Sequence, residues 1–163
     1  MIILLMGVAG AGKTTIGQEL SRMLGWHMID ADALHPPQNV AKMRAGFPLT
    51  DADREPWLDE VAGRIRRCLD EKQNCIFACS ALKESYRRVL TISADVRLVY
   101  LAIMPKLACE RVAHRPGHFM PASLVQSQFA DLQPPTDAIT VDASAEPQRV
   151  VQQILSALGL ASA

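Results

Sequence analysis

No stretch of this chain is long and apolar enough to span a bilayer, which takes about 20 predominantly apolar residues. The apolar start Ile2-Ile3-Leu4-Leu5-Met6 gives way at once to glycines and has no charged segment before it, so it does not read as a signal peptide. A buried parallel strand accounts for it better. Net charge is absent as well. Lys plus Arg and Asp plus Glu both total 17, so no overall field recruits nucleic acid or an acidic membrane surface. The four cysteines, Cys68, Cys75, Cys79 and Cys109, form no C-x-x-C and meet no histidine at zinc spacing. Buried free thiols in a reducing compartment follow, and the expected location is the cytoplasm. There is no internal repeat, no low-complexity tract and no separating linker, so the 163 residues suit one domain spanning 1–163.

What is present begins with Gly7-Val8-Ala9-Gly10-Ala11-Gly12-Lys13-Thr14, a G-x-x-x-x-G-K-T pattern between an apolar run and an amphipathic stretch with Ile16, Leu20, Met23 and Leu24 at helical spacing. Strand, glycine loop and helix are the context in which backbone N–H groups can turn inward around phosphate oxygens, helped by the positive end of the helix dipole. The segment from Gly7 to Thr15 is therefore the expected seat of a nucleoside triphosphate, which the family resemblance given below specifies as ATP. Lys13 would reach the β- and γ-phosphates, and the Thr14 hydroxyl would coordinate Mg²⁺. The dull alternative is a tight turn with Lys13 in solvent. Guanine-reading enzymes carry N-K-x-D, and that element is missing here.

Apolar runs at 2–6, 27–29, 75–79, 96–103 and 138–141 alternate with helical patterns near 13–24, 37–45, 51–72, 81–92, 105–114, 121–131 and 147–158. This alternation indicates an α/β fold, a parallel sheet covered on both faces. Thr50-x-x-Asp53 resembles a capping box for the third helix, and residues 35–60 read as an inserted helical substrate flap.

In such sheets ligands bind at the strand ends. Asp30 and Asp32, alternating in an extended segment after the second strand, can both face the crevice. One carboxylate can hold a metal through water while the other accepts a hydroxyl proton. Equally, both could cap the helix that follows. His35 is a turn or packing residue, or else a ligand to the substrate. Arg54, a cation at a helix start, suits a carboxylate or phosphate fork, with a salt bridge to Asp51 or Asp53 as the alternative. Trp57 is expected in the core. Ser80 can cap the helix after the third strand and face the crevice. Lys83 is solvent-facing or reaches substrate. Arg111 and Arg115, before the Pro116-Gly117 break, suit a closing lid or a solvated helix end.

Together the P-loop, Asp30-x-Asp32-x-Leu34-His35-Pro36-x-x-Asn39, Lys42-Met43, Pro48-Leu49-x-Asp51-x-Asp53-Arg54-x-Pro56-Trp57-Leu58, Cys79-Ser80-Ala81-Leu82-Lys83-x-x-Tyr86-Arg87, Gly117-His118-Phe119-Met120 and Leu124-x-x-Ser127-Gln128-Phe129-x-x-Leu132 resemble the gluconokinase family. The likeness runs from about residue 3 to 158, departing mildly at Ala9 and Ala11, where the family usually has Ser, and at Ala31, often Gly. It implies a P-loop kinase of three α/β/α layers with sheet order 2-3-1-4-5, a helical substrate-binding insertion and a lid over about 112–130. It further implies ATP- and Mg²⁺-dependent phosphorylation of the 6-hydroxyl of D-gluconate by a homodimer. On that reading Lys13, Asp32 and Arg115 are catalytic, and Thr14 and Asp30 serve Mg²⁺. Asp32, His35, Arg54, Ser80 and Lys83 bind substrate, and Arg111 packs against the adenine or follows the lid. The stretch from Asp142 to Pro147 would border the base. Competing readings are a related small-molecule kinase of the shikimate, adenylylsulfate or nucleoside type, and a nucleotide-binding switch without catalysis.

Overall fold

In the computed structural model, which describes residues 1–114 and 122–160, strand β1 (Ile2–Met6) is buried along its whole length. It pairs in parallel with β3 (Cys75–Ala78) on one side and β4 (Val96–Ala102) on the other, Ile2 standing opposite both Cys75 and Val96. A central strand with helices on both faces has no solvent side, which is why its sequence is an unbroken apolar run rather than an alternation. Strands β2 (His27–Asp30) and β5 (Ile139–Asp142) form the edges, and the order is β2-β3-β1-β4-β5. The parallel sheet and its order agree with the sequence expectation.

Alternation along β1 divides the core into two layers. Ile3 and Leu5 join Ile16 and Leu20 of α1 (Lys13–Leu24), Ala108 of α5 (Pro105–Ala113) and Val151 and Ile154 of α7 (Pro147–Ala157). Ile2, Leu4 and Met6 meet Trp57, Val61 and Ile65 of α3 (Asp51–Asp70) and Leu90 of α4 (Glu84–Leu90) on the opposite face. The remaining helices are α2 (Pro37–Arg44) and α6 (Ala122–Asp131). Among the described residues no helix is long and apolar enough to cross a membrane.

The capping box at the start of α3 is present. Thr50 Oγ1 accepts from Asp53 N at 3.2 Å, and Asp53 Oδ2 accepts from Thr50 N at 2.7 Å. Two local expectations need correction. The helix expected over 81–92 starts only at Glu84, because Ala81 sits at φ 44° and Lys83 is extended. The chain must turn before it can coil, so Ser80 does not cap α4; Lys83 occupies that position. The buried Arg87 holds this turn, donating to Ala81 O at 3.2 Å and Leu82 O at 2.9 Å. Second, β2 ends at Asp30 and the chain enters a short 3₁₀ turn, Ala31–Leu34. Asp30 and Asp32 therefore do not alternate along one extended segment.

Candidate active site

The phosphate loop is built where β1 stops and α1 begins. Gly10 has φ +84°, and a Cβ there would lie 2.5 Å from the Ala108 carbonyl oxygen, so only glycine allows the loop to lie against α5. Gly12, at φ +89°, forms the entry to α1. Lys13 curls back over the loop, its Nζ donating to Gly7 O at 2.9 Å and Val8 O at 3.0 Å. The Gly7 amide in turn donates to Ser80 O at 3.2 Å, locking the loop to the end of β3.

A cavity of about 340 Å³ opens in front of the loop and brings Lys13, Thr14, Asp30, Asp32, His35, Arg54 and Ser80 to one wall or another. Within it Asp30 makes two hydrogen bonds, one to the turn that follows it and one to α1. Its Oδ1 accepts from Asp32 N at 3.0 Å, capping the 3₁₀ turn, while its Oδ2 accepts from Thr14 Oγ1 at 3.1 Å. The turn, rather than strand alternation, carries both carboxylates to the crevice. Among the described residues no group of three or more His, Cys, Asp or Glu could hold a metal ion. A hydroxyl and a carboxylate in contact nevertheless fit Mg²⁺, which keeps several waters and takes its remaining ligands from phosphates.

His35 stacks on Trp57, ring centroids 4.3 Å apart and planes 14° from parallel. Trp57 is buried, as expected, and donates from Nε1 to Ala31 O at 2.7 Å, pinning the 3₁₀ turn. Burial, seconded by the Arg54 charge, pushes the His35 pKa down to about 4. The ring is therefore neutral at pH 7 and offers one N–H and one acceptor rather than a cation. Between pH 6.5 and about 4 the unfolded chain binds this proton and the folded chain does not, so stability rises with pH across that window. His35→Asn is expected to flatten the pH dependence of Tm between pH 4 and 6.5, measurable by thermal denaturation at half-unit steps. An unchanged slope would show that His35 is not the titrating group.

Arg54 emerges from the first turns of α3 and is 14% exposed. Its Nη1 donates to Tyr86 Oη at 3.1 Å and lies 3.7 Å from Asp51 Oδ1, while Nη2 lies 3.3 Å from Asp131 Oδ2. Tyr86 Oη in turn donates to Asp51. The salt bridge to Asp51 is present, and Asp51 and Asp131 hold the guanidinium at the cavity wall. Asp53 pairs instead with Lys42, at 2.5 Å. Lys83 stands behind this group, 2.7 Å from Asp51 Oδ1 and 3.9 Å from Asp131 Oδ1, and does not line the cavity. Cys79, deeply buried, has its thiol pKa pushed up to about 12 by desolvation, which makes it inert.

A second cavity of about 360 Å³ lies behind the loop, between Thr15, Arg111, Ala143, Ala145 and Pro147. Arg111 Nη1 donates to Ala143 O at 2.8 Å, joining α5 to the exit of β5. Arg115, with Gly117-His118-Phe119-Met120, lies outside the described residues. Sequence reasoning assigned no role to Gln128, whose Oε1 accepts from Ala9 N at 2.7 Å, nor to Asp131. The only signal available was the Ser127-Gln128-Phe129 block within the resemblance.

A family model described as Shikimate kinase matches residues 9–159. Gluconokinase of Gluconobacter oxydans (strain 621H) is 41% identical over 157 residues, covering 94% of this chain and 88% of that protein. The chain belongs to the gluconokinase family. A gluconokinase from Sinorhizobium meliloti 1021 superposes with a TM-score of 0.85 at 40% identity, covering 96% of this chain and 90% of the other. A sugar kinase from Janibacter sp. HTCC2649 superposes at 0.90 with 39% identity, over 98% and 95%. The family model places the chain among shikimate-kinase-like P-loop kinases, and the full-length relatives place it on the gluconate branch. It is a kinase, which sets aside the reading as a switch without catalysis.

Proposed function

We propose that this chain transfers the γ-phosphoryl group of ATP to the 6-hydroxyl of D-gluconate, giving 6-phosphogluconate and ADP. The observation that carries the reading is one cavity whose walls include a phosphate loop, the Asp32 carboxylate and the Arg54 guanidinium. The loop amides and Lys13 hold the triphosphate, with the adenine toward Arg111 and the β5 exit. Mg²⁺, held by Thr14 and, through water, Asp30, would screen the charge between the phosphates. Asp32 orients the 6-hydroxyl and takes its proton as the new P–O bond forms and the bond to the β-phosphate oxygen breaks. Arg54 receives the sugar-acid carboxylate, a match of planar fork to planar anion. Neutral His35 and Ser80 bond hydroxyls along the chain, Lys83 supports the carboxylate end from behind Arg54, and Arg115 neutralises the γ-phosphoryl. Family likeness favours a cytoplasmic homodimer.

Incubation with ATP, Mg²⁺ and a panel of D-gluconate, other aldonic acids, shikimate and nucleosides is expected to release ADP fastest with D-gluconate. Faster release with shikimate or a nucleoside would move the chain to a neighbouring kinase class. Arg54→Ala is expected to raise the KM for gluconate about 10- to 100-fold, the equivalent of one charged hydrogen-bonded contact, with a smaller change in kcat. An unchanged KM would mean that the carboxylate is held elsewhere.

A further inference from the structure

Helix α6 is distant in sequence from the phosphate loop and from the acidic turn, yet its side chains bond to the donors expected to serve both reactants. Gln128 Oε1 accepts the Ala9 backbone N–H at 2.7 Å. Asp131 Oδ2 lies 3.3 Å from Arg54 Nη2. The two residues are three apart and share one face of the helix. Immediately beyond it, Gln133 N donates to Leu82 O at 2.9 Å and Gln133 Oε1 accepts from Glu84 N at 2.7 Å, tying the same segment to the loop that carries Ser80. Leu124 and Val125 are buried, which anchors α6 as a unit. At each of its first two contacts α6 presents an oxygen to a donor that an anionic reactant would use: an amide oxygen to the phosphate loop and a carboxylate to the guanidinium.

We propose that α6 is a built-in stand-in for both reactants, and that Gln128 and Asp131 are positioning residues that couple nucleotide binding to sugar-acid binding. The inference rests on the reading above, that this cavity takes ATP and gluconate. Triphosphate oxygens arriving at the loop compete with Gln128 for the Ala9 amide. A sugar-acid carboxylate competes with Asp131 for Arg54. Because both tethers belong to one short helix, loosening either weakens the other, and the second reactant displaces a helix that is already half released. Linkage makes the effect mutual: each reactant raises the affinity for the other by the same factor. A coupling of about tenfold is expected, within the usual range for two communicating sites.

Calorimetric titration of the full chain tests this. The Kd of D-gluconate is measured without nucleotide and with saturating AMP-PNP and Mg²⁺, and the Kd of AMP-PNP with and without gluconate. In the unaltered protein both ratios should be about 10 and equal. Gln128→Leu, which removes the competing acceptor, should bind AMP-PNP several-fold more tightly in the absence of gluconate and bring the coupling ratio toward 1. Gln128→Glu should weaken AMP-PNP binding. Asp131→Asn, at a side chain about one-third exposed, supplies the same test from the other reactant should the Gln128 variants fail to fold: gluconate alone should bind more tightly and the ratio should again fall. Weaker binding in Gln128→Leu or Asp131→Asn with the ratio intact would mean that these residues only support the site, and the proposal would be wrong. A ratio of 1 in an unaltered protein that phosphorylates gluconate overturns the coupling while leaving the activity standing. If that protein binds neither ligand, the functional reading falls and the coupling with it.

Discussion

Lys13→Ala is expected to lower kcat by about 100- to 1,000-fold, the usual consequence of removing one electrostatic donor from a charged transition state. The side chain sits at the first position of α1 with its ammonium against Gly7 O and Val8 O, carbonyls of the loop itself. Those contacts fold the lysine over the loop, and a triphosphate offers the ammonium a far stronger partner. The fold should survive, because the loop is held independently by the bond from Gly7 N to Ser80 O and by the close approach of Gly10 to Ala108. Far-ultraviolet circular dichroism and Tm would confirm an intact protein, and a coupled ADP assay would report the loss. Near-normal turnover in a folded Lys13→Ala protein would remove Lys13 from the centre of the mechanism.

The second large effect belongs to Asp32→Asn. The replacement keeps size and shape and leaves the bond from the residue-32 amide to Asp30 Oδ1 in place, so the turn and the Thr14–Asp30 contact persist. What disappears is a proton acceptor facing the cavity. Loss of a positioned general base lowers kcat by about 100- to 10,000-fold, while the Kd for ATP should hardly move. The opposite pattern, weaker ATP binding with kcat preserved, would assign Asp32 to the metal. Asp30 would then be the candidate base, although its capping bond and its contact with Thr14 argue for the reverse assignment.

These two residues also show how far the sequence could be read. The glycine pattern, the buried first strand and the Thr50–Asp53 capping box all follow from local rules: backbone freedom at glycine, burial on both faces, and reciprocal satisfaction of helix-end donors. Each is encoded within a few residues and appears in the structure where the sequence put it. The placement of Asp30 and Asp32 at the crevice was also legible, but for another reason than alternation: the strand stops at Asp30 and a 3₁₀ turn takes over. The start of α4 was misplaced by three residues, because the turn at Ala81 is held by Arg87 from inside the following helix. No local pattern shows that a helix will begin late when its own side chain holds the preceding loop open.

The contacts of α6 were the least legible. Gln128 meets Ala9 across 119 positions and Asp131 meets Arg54 across 77. Such pairs depend on where the sheet order sets down distant segments, and composition and periodicity carry no trace of them. Arg54 is the middle case. Its position at a helix start marked it as misplaced for the dipole, yet the partners that hold it, Tyr86, Asp51 and Asp131, come together only in the fold.

The central claim is an orientation: gluconate enters with its carboxylate on Arg54 and its 6-hydroxyl between Asp32 and the γ-phosphate. A crystal structure of the protein with AMP-PNP, Mg²⁺ and D-gluconate tests it most directly. The account predicts the 6-hydroxyl oxygen within about 2.6–3.2 Å of an Asp32 carboxylate oxygen, with the substrate carboxylate on the Arg54 guanidinium. A sugar acid lying the other way round, carboxylate toward the phosphate loop and carbon 6 toward Arg54, would contradict it.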